Sequence, residues 1–222
     1  MSSHQYEVAL FGEFFSRDLK PILNRITFYS ESSHPMHARE VVFEPMDAQY
    51  QRTHEGSQES HLLRARKDLI GTSGEEDTGW ILYSYLKPES VRAHPEATVR
   101  PWATCHVVGD ALSFANALGY VCVLILLILA SSNEGSSRRS QIYKRGYLFR
   151  RGSLIIQMFQ QEQVDPKTHK PIPAHSDTLW EVEVKTAAPI RNSQETPLNG
   201  AIEQVLHVQM LMKGLLDLRR KD

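Results

Sequence analysis

Cysteine is scarce in this sequence: only Cys105 and Cys122 occur among 222 residues. That excludes a disulfide-stapled scaffold and a cysteine-rich zinc module. The opening residues MSSHQ lack the basic and apolar regions of a signal peptide, so a reducing, intracellular compartment is expected. An excess of charge of either sign is also missing, with 25 Lys and Arg against 26 Asp and Glu. No global field therefore favours nucleic acid or an anionic membrane, and a charge-driven role needs a local patch. A membrane-spanning helix needs roughly 20 apolar residues, and the longest run, VCVLILLILA at 121–130, is too short. No G-x-S-x-G, Walker lysine loop, G-x-G-x-x-G or internal repeat is present. The 41% of hydrophobic residues still suffices for a sizeable core, and one domain over 1–222 is expected.

Strand patterns dominate what is there. Tyr6, Val8 and Leu10 alternate with Glu7, Ala9 and Phe11. Leu19, Ile22, Leu23 and Ile26 then form one stripe of a short helix over 17–28, with Ser16 or Asp18 as its cap. Strands follow at 38–44, 60–67, 79–86 and 98–108, and Pro101 in the last implies an edge or a bulge. Residues 110–118 read as a second short helix, capped by Asp110 and stopped by Gly119. Two apolar runs meet at Arg151-Gly152, a hairpin turn, and 164–177 is a proline-rich exposed loop. In LWEVEVKT, Trp180, Val182 and Val184 take one face and Glu181, Glu183 and Lys185 the other. Thr196 caps and Pro197 opens a long C-terminal helix reaching Arg219, Arg220 and Lys221. Strands that follow one another without helices between them predict an α+β fold. Its expected form is a mostly antiparallel multistranded β-barrel flanked by two short helices and a long C-terminal helix.

Four groups of residues are candidates for chemistry. Glu181, Glu183 and Lys185 share a strand face, where carboxylates hold a divalent cation and a lysine meets a phosphate oxygen in a metal-dependent phosphohydrolase. This E-x-E-x-K pattern resembles the signature of triphosphate tunnel enzymes, but no second E-x-E strand accompanies it. A solvated polar face on a half-buried strand is the favoured reading. Arg138, Arg139, Lys144, Arg145, Arg150 and Arg151, interleaved with Tyr143 and Tyr147, form a basic run. It is read as a solvated hairpin touching acidic loops or a partner in preference to a nucleic-acid patch. His34 and His37, with Glu40, fall short of a zinc ligand set, and the flanking Ser32, Ser33 and Pro35 suggest a flexible loop instead. Cys105 and His106 are neighbours on a strand and so face opposite ways, with Cys105 expected in the core.

The strings YEVALFGEF, FSRDLKPILNRI, HLLRARKDL, WILYSYLKPE, KRGYLFRRGSLIIQMFQ and LWEVEVKTAAP occur in that order and precede the C-terminal helix. Together they resemble subunit 18 of the Mediator complex, the coactivator of RNA polymerase II, in a fungal member. The most specific part is G-Y-L-F-R-x-G at 146–152. The resemblance implies a non-catalytic, nuclear scaffold in the head module, without cofactor. Its implied partners are Mediator subunit 20 and the C-terminal helix of Mediator subunit 8. Other head-module subunits would follow, with RNA polymerase II met indirectly and neither a membrane nor a specific nucleic-acid sequence bound. The partner surface expected on this chain comprises Arg145, Tyr147, Phe149, Arg150, Arg151, Met212 and Leu215. Residues 121–137 depart from the family pattern. Val121-Cys122 can be encoded as a splice donor and Ser132-Asn133 as a branch-site string. The segment thus reads as translated intron or as a lineage-specific insertion.

Overall fold

Residue Gly146 shows how tightly the strands of this chain approach one another. A Cβ placed there would stand 2.0 Å from the Met158 carbonyl oxygen and 2.7 Å from Phe159 Cα, so only glycine fits. It lies in strand β7 (Gln141–Arg151), opposite Phe159 of β8 (Leu154–Val164). The computed structural model describes residues 5–46, 62–70, 79–122, 141–165, 167–168, 170–193 and 197–221.

The other strands are β1 (Tyr6–Phe14), β2 (Ser32–Pro45), β3 (Leu63–Asp68), β4 (Trp80–Tyr85) and β5 (Thr98–Val107). To these the chain adds β6 (Tyr120–Cys122), β9 (Pro171–Ile172) and β10 (Trp180–Thr186). Every pairing is antiparallel. The order β10-β1-β5-β4-β3-β2-β7-β8 closes on itself because β8 also pairs with β10, Gln157 opposite Glu183. The result is an eight-stranded barrel with β6 beside β2 and β9 beside β8.

Closure removes the sheet edges and encloses the inner face of each strand. Outside the barrel, helix α1 (Leu19–Tyr29) and helix α3 (Leu198–Met212) cover one side. Ile22, Ile26, Val205, Val208 and Met212 meet Val8, Leu10, Ile156, Met158, Val182 and Val184 in one apolar core. Helix α2 (Ala111–Ala117) covers a smaller core with Val41, Phe43, Ala65, Trp80 and Leu82. Asp110 caps α2, accepting from the Leu112 amide at 3.0 Å and the Ser113 amide at 3.3 Å.

Several expectations need correction. Neither Ser16 nor Asp18 caps α1 through its side chain; a 3-10 turn at Ser16–Asp18 leads into it instead. The segment around His34 is strand, because β2 starts at Ser32 to pair with the long β7. Pro101 lies at neither edge nor bulge; it faces Tyr6, the first residue of β1, where that ladder ends. The hairpin loop is Gly152-Ser153, one residue later than expected. Helix α3 stops at Met212, and Gly214 (φ +84°) reverses the chain in the left-handed region. Arg219, Arg220 and Lys221 therefore belong to an extended tail. Arg219 exchanges backbone hydrogen bonds with Phe11, both at 2.9 Å. Thr196, Arg138, Arg139 and all of 121–137 except Val121 and Cys122 lie outside the described residues.

Candidate functional site

The pleat of β10 sends Val182 and Val184 into the helix-covered core, and Glu181, Glu183 and Lys185 into the barrel lumen. Their partners show this directly. Lys144 Nζ on β7 lies 3.3 Å from Glu183 Oε1 and 3.2 Å from Glu40 Oε2 on β2. Strand β8 stands between β7 and β10, so that contact crosses the interior. Lys185 Nζ donates to Glu183 Oε2 at 2.8 Å, and Arg64 Nη1 to Glu40 Oε1 at 2.8 Å. Nearby, Arg100 donates twice to Glu7 Oε1, from Nη2 at 2.6 Å and Nε at 3.0 Å. The Tyr85 hydroxyl donates to Glu7 Oε2 at 3.0 Å, and the Arg100 guanidinium stacks 3.4 Å from the Tyr85 ring centre. Gln161 Nε2 donates to Glu181 Oε1 at 2.6 Å, and Arg66 donates twice to Asp68 Oδ1.

Charge balances within this network. Glu7, Glu40, Glu181 and Glu183 face Arg64, Arg100, Lys144 and Lys185, while Arg66 has Asp68. Burial by itself raises the Glu40 carboxyl, but Lys144 and Arg64 together outweigh it and hold it at about 2. Glu183 obeys the same logic: burial is overcome by Lys144 and Lys185, and its carboxyl lies well below the usual range. Burial would lower Lys144 and Lys185, yet Glu183 raises both. Glu181 differs. Burial is its largest influence and Glu183 repels it, so its carboxyl is raised despite Lys144. Burial also pushes the Tyr83 and Tyr85 hydroxyls well up, next to Glu40 and Glu7 respectively. Lys144, Glu183 and Lys185 keep 13–16% of their side-chain surface accessible.

The solvated face expected for Glu181, Glu183 and Lys185 is thus replaced by an enclosed one, and Lys144 leaves the surface basic run for the same lumen. Glu7, Glu40, Arg64 and Arg100 were missed as its members. Their signal was faint: Glu7 stands between Tyr6 and Val8, Arg100 between Val99 and Pro101, and Arg64 and Arg66 flank Ala65. Glu40 is separated from His37, which has Glu162 Oε2 at 3.3 Å on another face; burial and then Arg145 lower His37 against the pull of Glu162. Among the described residues no group of three or more His, Cys, Asp or Glu is placed to share a metal ion. Cys105 is exposed, not in the core, because α2 covers other strands.

The expected partner residues divide. Phe149 and Met212 are 1% and 0% exposed, so both are core and closed to a partner. Tyr147, half-buried, stacks on Trp180 with ring centres 6.1 Å apart, and Leu215 packs partly under α3. The surface keeps Arg145, paired with Glu162 at 2.8 Å, then Arg150, and Arg151, which reaches Glu31 at 3.8 Å and the Tyr29 ring.

Neither a family model nor a curated protein matches this sequence. Solved structures do. A chain of the Schizosaccharomyces pombe Mediator head module superposes at TM-score 0.68 with 16% identity, over 97% of this chain and 98% of that one. The protein has the fold of a Mediator head-module chain. The PH1819 protein of Pyrococcus horikoshii matches at 0.53 with 11% identity, over 97% and 94% of the two chains. A candidate adenylate cyclase from Vibrio parahaemolyticus matches at 0.51 with 11% identity, over 96% and 91%. This barrel is therefore common to proteins of different description, and its use in this chain is argued from its own residues.

Proposed function

We propose that this protein is a non-catalytic, nuclear subunit of a Mediator head module, resembling subunit 18 and serving regulated transcription by RNA polymerase II. The observation that carries the proposal is the fold match over both whole chains, at 0.68 against 0.53 and 0.51 for the barrels of other description. The ordered strings ending in G-Y-L-F-R-x-G support it, as does a lumen whose charges are taken up by one another. On this reading the chain pairs with Mediator subunit 20 and receives the C-terminal helix of subunit 8. Arg145, Arg150 and Arg151, with Tyr147 and Leu215 at the margins, remain the proposed partner residues. Arginine and tyrosine are favoured interface anchors. Purification of the tagged chain from nuclear extract, followed by mass spectrometry, tests this. Recovery of head-module subunits is expected, and a preparation free of them contradicts the proposal.

A second reading has one observation in its favour: Glu181, Glu183 and Lys185 do converge in a lumen, as a metal-dependent triphosphate phosphohydrolase requires. Against it, Glu183 is already bracketed by two lysines, and Glu181 already accepts from Gln161. A divalent cation is held through carboxylate oxygens, and both of these carboxylates already carry partners.

A further inference from the structure

On one flank of β2 lies β3, with Val41 opposite Ala65 and Phe43 opposite Leu63. On the other flank β7 takes Ser32 to Val41, and β6 takes Phe43 to Pro45. Both are antiparallel to β2, so β6 and β7 lie end to end and point the same way. Among the described residues, only Val42 lacks a partner along this flank. Cys122 stands opposite Phe43 and Gln141 opposite Val41, two strand positions further on, a rise of about 7 Å. Counting on from Cys122, residue 124 would face Val41. Gln141 stands there instead, seventeen residues later in the sequence.

The faces agree with this count. Tyr120 and Cys122 pack against the α2 core, so even-numbered residues of β6 point outward. Lys144 enters the lumen, so even-numbered residues of β7 point inward. Side chains alternate with a period of two, and only an odd number of added residues makes that change. The segment 121–137, set apart in the sequence, is itself seventeen residues long.

We infer that β6 and β7 are the two ends of one strand running from Tyr120 to Arg151, parted by a seventeen-residue insertion that the barrel and its helices do not need. The fold tolerates the insertion because the cost of closing a loop grows only with the logarithm of its length. The register fixes how much chain is superfluous, and one residue more or less does not fit.

Urea unfolding of the full chain and of three deletions tests this. Deleting 123–139 keeps every residue of β6 and β7 and leaves Ser140 to face Val42. This variant is expected to fold, with a urea midpoint no lower than that of the full chain. Deleting 123–138 leaves one residue too many, and deleting 123–140 leaves none. A slip of one residue turns the side chains of a strand to the wrong face. Both of these variants are therefore expected to unfold at lower urea than the seventeen-residue deletion. The inference is overturned if the chain lacking 123–139 does not fold or unfolds below the full chain. It is equally overturned if either neighbouring length does as well. None of these outcomes bears on the head-module reading, which depends on co-purification.

Discussion

On the outer side of β10, Val182 and Val184 are 1% and 0% exposed and lie in one apolar core with α1 and α3. One residue away on the same strand, Glu181, Glu183 and Lys185 meet charged and amide groups of the lumen. The outer wall is held by apolar area, which is additive and indifferent to direction. The lumen is held by pairs, and a buried charge is tolerable only while its partner stays. One face therefore degrades in proportion to what is cut away, whereas the other depends on which half of a pair is lost.

The largest effect is expected outside the barrel. Phe149→Ala empties the space between β7 and α1 and should cost about 3–5 kcal/mol in urea unfolding. Inside, Glu40→Gln strands Lys144 and Arg64. Breaking a buried pair costs ~3–5 kcal/mol, and the loss should fall below that range because Arg64 is 34% accessible at its side chain. A double-mutant cycle with Lys144→Met sharpens the contrast. The second substitution should recover part of the first loss, whereas Phe149→Ala combined with Met212→Ala should recover none.

Acid should attack the ion pairs of the lumen. Glu40 is at about 2 in the fold against an ordinary 4.5, and Glu183 is lowered too. Their contribution is complete above 4.5 and is lost as pH falls from there toward 2. Glu181, being raised, acts in the opposite sense: its share is present at low pH and lost as pH rises through its raised value. The urea midpoint should fall below pH 4.5, and Glu40→Gln should flatten that slope.

Smaller effects belong to local devices. Asp110→Ala removes the cap of α2 and should lower the urea midpoint slightly. Charge reversal at Arg150 and Arg151 should leave stability within about 1 kcal/mol, since Arg151 and Glu31 are largely exposed. Under the proposed function the same double variant loses head-module subunits in pull-downs. Normal recovery would remove those arginines from the partner surface.

Alternation made the two faces of β10 legible in the sequence: Trp180, Val182 and Val184 separated cleanly from Glu181, Glu183 and Lys185. It did not say which face closes on itself. A period of two is the same whether the polar side meets water or a lumen, and only closure through β8–β10 decides. Glu7, Glu40, Arg64 and Arg100 were hidden for a related reason, because the constellation exists only across the barrel. The caps and stops of α2 were readable because Asp110 and Gly119 act locally. The end of α3 was not, since Leu215 and Leu216 continue its apolar pattern beyond Gly214 while packing from the tail.

The central claim is that the lumen is structure and not a reaction chamber. Phosphate release by the purified full chain from tripolyphosphate, with magnesium or manganese, tests it most directly. The account predicts release no faster than in the absence of protein, and equal to that of a Glu181→Ala, Glu183→Ala double variant. Metal-dependent release by wild type that the double variant loses would contradict it.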